Sequence, residues 1–151
     1  MSQYEFTASL RIRHPHIDPA AITQALGIKP QHTWRSGMPR IGAGGESLEG
    51  LYRESYWMGR LMEAPQLSEQ VAVEHVLRDT LANLRRSQAF LERLQSEGGV
   101  TEIHISLFAR ANFGLELPAA TLALLGRLGV GVTFEINTRS AQTVEPEQQA
   151  I

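Results

Sequence analysis

Cysteine is absent from this chain of 151 residues. That removes disulfides, thiolate nucleophiles and every cysteine-ligated zinc or iron–sulfur site. Lysine is nearly absent: Lys29 stands alone, so arginine carries almost all the positive charge. Aspartate is scarce, with Asp18 and Asp79 the whole supply, both in helix-like contexts. Neither sign of charge dominates. The formal net charge is −2, so no global field draws the chain toward nucleic acid or acidic lipid. Long apolar runs are missing too. The longest, near Leu122–Leu125, is far too short to span a bilayer. The first residues, MSQYEFTASLRIR, lack the apolar core and cleavage site of a signal peptide. By elimination, the expected location is the cytoplasm, with no membrane partner.

Catalytic signatures are missing as well. There is no G-x-S-x-G, no H-E-x-x-H and no S-x-x-K before an apolar helix. Glu54 is the best single candidate for a general base, but a lone carboxylate makes no catalytic set. No catalytic residue and no cofactor is assigned.

What is present suits one soluble domain. Apolar residues make up 42% and charged residues 20%, and the length allows a real core. Tyr4 to Arg13 alternates: Tyr4, Phe6, Ala8, Leu10 and Ile12 share one face, which predicts a half-buried strand. A short helix follows, capped by Asp18, opened by Pro19 and closed by Gly27. Strands are predicted at 32–37 and 51–58, with the glycine-rich stretch 38–50 as a loop between them. From Ser68, Val73, Leu77, Leu81, Leu84, Leu91 and Leu94 recur at helical spacing until Gly98-Gly99. Thr101–Ala109 alternates again, with Glu102, His104 and Ser106 outward. A short strand, FGLEL, is then predicted after Asn112, a helix from Pro118 to Gly129, and a last strand carrying Val130, Val132, Phe134 and Ile136 on one face. The order predicts an α+β fold. It has a ferredoxin-like βαββαβ core with an added βαβ extension, and its mixed, largely antiparallel sheet carries helices mainly on one face. Residues 1–137 form one domain, and 138–151 read as a disordered tail.

The stretch HTWRSGMPRIGAGG, His32 to Gly45, has the composition of a phosphate loop. Its glycine spacing does not match one, no Lys-Ser/Thr follows, and it precedes a strand instead of a helix. It reads as a connection. The residues around it are richer. Trp34, Arg35, Arg40, Tyr52, Arg53, Tyr56, Trp57 and Arg60 would alternate rings and guanidinium groups if their strands pair. Such a patch could anchor a partner, although large aromatics also serve as core. The third and first strands lack an RNP-like pattern, so nucleic acid is not expected as a partner. H-P-H-x-D, from His14 to Asp18, contains metal-ligand types, but no second cluster completes a site, and no metal is assigned. His104 is expected at the surface, where it could meet Glu135 if their strands pair.

Taken together, LRIRHPHIDPAAITQALGIKP, HTWRSGMPR, the aromatic strand ending in Trp57, LERLQSEGG and NFGLELPAATLALLGRLGVGVTFEI resemble a bacterial family catalogued as domain of unknown function 4279. The resemblance covers residues 4–137. It implies no activity and no catalytic residues. Families of similar size and architecture include immunity proteins that neutralise toxins, an analogy of fold alone. The expected role is a non-catalytic protein-binding module, possibilities for which include an immunity-like one. A small-molecule or nucleotide sensor is the alternative, and an enzyme comes third. The candidate surfaces are the polar sheet face (Arg11, Arg13, His104, Glu135) and the edge formed by Trp34, Arg35, Arg40, Tyr52, Arg53 and Trp57. A homodimer through an exposed sheet edge is compatible with this reading.

Overall fold

The computed structural model describes residues 4–138. The expected tail, but for Thr138, lies outside the described residues. Eight strands and four α-helices alternate along the described chain: β1 (Tyr4–His14), α1 (Pro19–Leu26), β2 (Pro30–Trp34), β3 (Pro39–Ile41), β4 (Ser47–Leu51), β5 (Ser55–Arg60), β6 (Gln66–Leu67), α2 (Val73–Leu84), α3 (Gln88–Ser96), β7 (Val100–Ala109), α4 (Ala119–Leu128) and β8 (Val130–Thr138). The main sheet runs β2-β5-β1-β7-β8, with β6 also on β1. All its pairings are antiparallel except β7 with β8. The fold is α+β with a mostly antiparallel sheet.

One face of the sheet is the core. Phe6, Leu10 and Ile12 of β1, Trp57 of β5 and Ile103, Ile105 and Leu107 of β7 are fully buried there. Ile22 of α1, Leu77 and Leu81 of α2, Leu91 and Leu94 of α3 and Leu125 and Leu128 of α4 belong to the same cluster. Each such side chain contributes about 1.5–3 kcal/mol by leaving water. α1 forms as its sequence predicts. Asp18 accepts from the Ala20 amide at 3.0 Å, Pro19 opens the helix, and Gly27 closes it at φ +68°.

Three expected elements differ. The 68–98 helix is two helices joined by a 3-10 turn at Arg85–Ser87. It begins at Val73 because Ser68 is spent elsewhere: its hydroxyl accepts from the Tyr4 amide and its own amide donates to the Tyr4 carbonyl. FGLEL is not a strand. Its alternation is real, since Phe113, Leu115 and Leu117 all pack against the core. However, it joins no strand among the described residues: β7 is paired on both sides, and the outer side of β8 is left unused. Finally, the stretch predicted as a loop at 38–50 holds a two-stranded hairpin, β3–β4, outside the main sheet. No helix among the described residues is long and apolar enough to cross a membrane.

Candidate functional site

Consecutive residues of a strand face opposite ways, and that rule divides the aromatic patch. Trp57 pairs with Ile12 on the core face, is 0% exposed, and donates its indole N–H to Thr23 Oγ1 at 2.9 Å. Its expected place in a recognition edge is therefore corrected: Trp57 is core, and it fixes α1 to the sheet. Tyr56, one residue earlier, faces the other way and pairs with Trp34 of β2.

Trp34 is the centre of a three-ring stack. Tyr56 lies 4.5 Å from it at 24°, and Tyr52 lies 4.8 Å away at 9°. The Tyr52 hydroxyl also accepts from the Ile41 amide and donates to the Ile41 carbonyl, at 3.1 and 3.3 Å. Backbone bonds from Gly37 to the Tyr52 carbonyl and from Tyr52 to the Met38 carbonyl close the base of the hairpin. The stack thus fastens the β3–β4 arm to the sheet. A two-stranded hairpin standing alone is marginal in water, so this anchor matters. Gly50, at φ +88°, allows the bulge that takes up the extra residues of β4.

The arm, α1 and β2 enclose an open cleft of about 1400 Å³. Strand β2 is one edge of the sheet, bonded among the described residues to β5 on one side only. Trp34, Tyr52, Arg35, Met38 and Ile41 line the cleft with Asp18 and Thr23 of α1. Arg35 and Asp18 form an ion pair across it at 3.5 Å. The arm exposes four large apolar side chains: Met38 at 54%, Ile41 at 59%, Leu48 at 40% and Leu51 at 58%. Met38, Ile41 and Leu48 fall in a glycine-rich stretch without alternation, which gives no strand signal, and Leu51, expected to open the strand 51–58, closes β4 instead. Arg40 turns back to the Glu49 carbonyl at 3.2 Å, and Arg53 is exposed beyond the arm.

The remaining candidates lie on the open sheet face. Arg13 sits beside Tyr56, one strand over, and Arg11 beside Met58 and Glu102. His104 faces this side as expected, but it is not a surface histidine: it is only 9% exposed. Glu135 Oε2 lies 3.5 Å from its Nε2, Glu102 Oε1 lies 4.0 Å from its Nδ1, and Ser106 Oγ is 3.4 Å from Nε2. Burial pushes His104 below the usual histidine range and Arg11 adds to the push, while Glu135 and Glu102 oppose it.

The H-P-H-x-D motif resolves into local structure. His14 is buried, and its Nδ1 accepts from the His16 and Ile17 amides at 3.1 and 3.0 Å. Its Nε2 must then carry the proton, which it donates to Glu97 Oε1 at 2.9 Å. Neither nitrogen is left for a metal, and Asp18 is engaged as the helix cap. Among the described residues no group of three metal-binding side chains converges. Glu54 is exposed.

No curated protein and no solved structure matches the chain. A family model described as a domain of unknown function (DUF4279) matches residues 3–139, the whole described fold with its arm and cleft. The chain belongs to the DUF4279 family.

Proposed function

We propose that the chain is a non-catalytic protein-binding module whose partner docks in the cleft beside β2. The observation that carries this reading is a strand edge without a partner among the described residues, next to an appendage that exposes Met38, Ile41, Leu48 and Leu51. Free strand edges are normally covered, and exposed apolar side chains gathered in one place mark interaction sites. At about 1400 Å³ the cleft exceeds the usual small-ligand pocket and suits a length of chain. Its lining carboxylate and guanidinium, Asp18 and Arg35, already pair with each other. The occupant is accordingly an extended segment with few charges, which adds to β2 as a strand and sets apolar side chains against the arm.

The test starts from a displayed library of random peptides. Selected peptides are expected to alternate apolar and polar residues and to slow amide exchange in β2. They should bind Ile41→Asp at least about tenfold more weakly than the parent chain. Ile41 is exposed, so this substitution leaves the fold intact. Peptides that bind Ile41→Asp as well as the parent, or that leave β2 exchange unchanged, refute the reading.

An immunity-like role is one instance of this function, with a toxin as the source of the segment; a neighbouring toxin gene would supply the partner for direct assay. A homodimer is another instance, in which a second copy supplies the strand. We also read the core as ferredoxin-like. In β1-α1-β2, and again in β5 through α2 and α3 to β7, two parallel strands are separated by one antiparallel strand, and this double split supports that assignment.

A further inference from the structure

The open face of the sheet holds a second concavity, a groove of about 370 Å³. It lies over β1, β5 and β7 and is walled by the segment from Met62 to Pro65. Ser9 of β1 is at its centre. The cross-strand partner of Ser9 is Arg60 on one side and His104 on the other. Arg11 lies two residues along β1 on the same face, and Thr7 lies two residues the other way, opposite Ser106. Arg11 and Arg60 are therefore diagonal neighbours on adjacent strands, within reach of one point above Ser9.

Neither guanidinium has a carboxylate within ion-pair distance among the described residues, although Glu102 is the cross-strand partner of Arg11. Arg60 has no hydrogen-bond or ion-pair partner among the described residues, and the Arg11 Nε–H donates to Ser9 Oγ at 3.3 Å. Glu102 and Glu135, the nearby carboxylates of β7 and β8, lie against His104. Glu63 lines the groove but pairs with neither arginine. Two guanidinium groups bring up to ten N–H donors, and the Thr7, Ser9 and Ser106 hydroxyls can add more. With Glu63 unpaired to them, both guanidinium groups remain open to an oxyanion acceptor. Planar, forked guanidinium groups match the oxygens of a carboxylate or a phosphate. Met58, Met62 and Pro65 give it an apolar wall for the body of a ligand.

We propose that this groove binds a small molecule bearing an oxyanion, held between Arg11 and Arg60 above Ser9. The site is separate from the β2 cleft and stands whether or not that cleft takes a peptide. Its size fits a ligand of metabolite scale.

The groups facing His104 make it a reporter. Burial and Arg11 keep the proton off; Glu102 and Glu135 favour it. An oxyanion seated on Arg11 cancels the push from that side, so the midpoint of the His104 titration must rise. The full chain is titrated with inorganic phosphate and, separately, with acetate at constant ionic strength, and the His104 ring resonances are followed by NMR. Their assignment comes from His104→Gln. A saturable shift at millimolar probe is expected, with a higher His104 midpoint and binding about tenfold weaker in Arg60→Gln and in Arg11→Gln. Arg60 is exposed and unpaired, so Arg60→Gln keeps the native amide spectrum. Tighter binding of phosphate assigns a phosphate ligand, and tighter binding of acetate assigns a carboxylate. No saturable shift with either probe up to about 50 mM, or undiminished binding in Arg60→Gln, overturns the proposal.

Discussion

The two tryptophans provide a direct test of the architecture, because the same substitution should have different consequences at each. Trp57→Ala removes a fully buried side chain and its hydrogen bond to Thr23. Truncation of a buried tryptophan costs about 3–5 kcal/mol. A domain of this size is stable by only about 5–15 kcal/mol, so that is a large share. Trp34→Ala removes a half-buried ring and two stacking contacts, with Tyr52 and Tyr56. Each aromatic pair contributes about 0.5–1.5 kcal/mol, which gives about 2 kcal/mol in total. With a urea m-value of about 2 kcal/mol/M, the unfolding midpoint should fall by about 2 M for Trp57→Ala and about 1 M for Trp34→Ala. The local effect should be reversed. The Ile41 amide bonds to the Tyr52 hydroxyl, and Tyr52 rests on Trp34. Trp34→Ala should therefore speed exchange at Ile41 by more than its global cost explains, while Trp57→Ala should speed it only through global unfolding. Equal midpoint losses, or an Ile41 exchange rate untouched by Trp34→Ala, would refute the division into a core tryptophan and an arm-fastening one.

Three further outcomes follow from single contacts. Gly59→Ala would set a Cβ 2.7 Å from Trp57 Cη2 and 2.9 Å from Ile28 Cγ2, so about 1–3 kcal/mol should be lost, seen in calorimetry as a melting point about 5 °C lower. The hydrogen bond from His14, and then that from Arg93, hold Glu97 below the usual carboxylate range. A lowered folded value means stability that is present above pH 4.5, the ordinary value, and is lost as the pH falls from there through the lower folded value. Glu97→Gln should flatten this acid limb, read as a smaller difference between urea midpoints at about pH 6 and pH 3.5. Asp18→Ala should cost about 1 kcal/mol by leaving the Ala20 amide without its cap, with faster exchange confined to the first turn of α1.

Much of this molecule could be read from its residues. Tyr4–Arg13 and Thr101–Ala109 alternate cleanly because each has one buried face, and Asp18, Pro19 and Gly27 mark α1 by their chemistry alone. The failures share a physical cause: they occur where tertiary contacts decide. The leucine period runs from Val73 through Leu94 and carries no sign of the tighter turn at Arg85–Ser87. Phe113, Leu115 and Leu117 alternate as a strand would, but pack on the core without pairing to a strand among the described residues. The β3–β4 arm has no buried face and therefore no periodic pattern; Tyr52 and Trp34 hold it from outside its own sequence. The aromatic patch contained a readable clue, since neighbours such as Tyr56 and Trp57 cannot face the same way in a strand. His104 was placed on the correct face, but its burial depends on Glu102, Glu135 and Ser106 closing round it.

The arm leaves the sheet after β2 and returns before β5, two strands that are bonded directly to each other. The junction is sealed by the Gly37, Met38 and Tyr52 backbone contacts. The backbone pairing of β2 with β5 is made outside residues 39–51, and Ile41 touches it through the Tyr52 hydroxyl. Residues 39–51 thus behave as an interchangeable head on a fixed handle. Insertions, deletions or wholesale grafts there should alter what the protein grips while the scaffold beneath goes on folding unchanged, and new specificities could arise at this point at little thermodynamic risk.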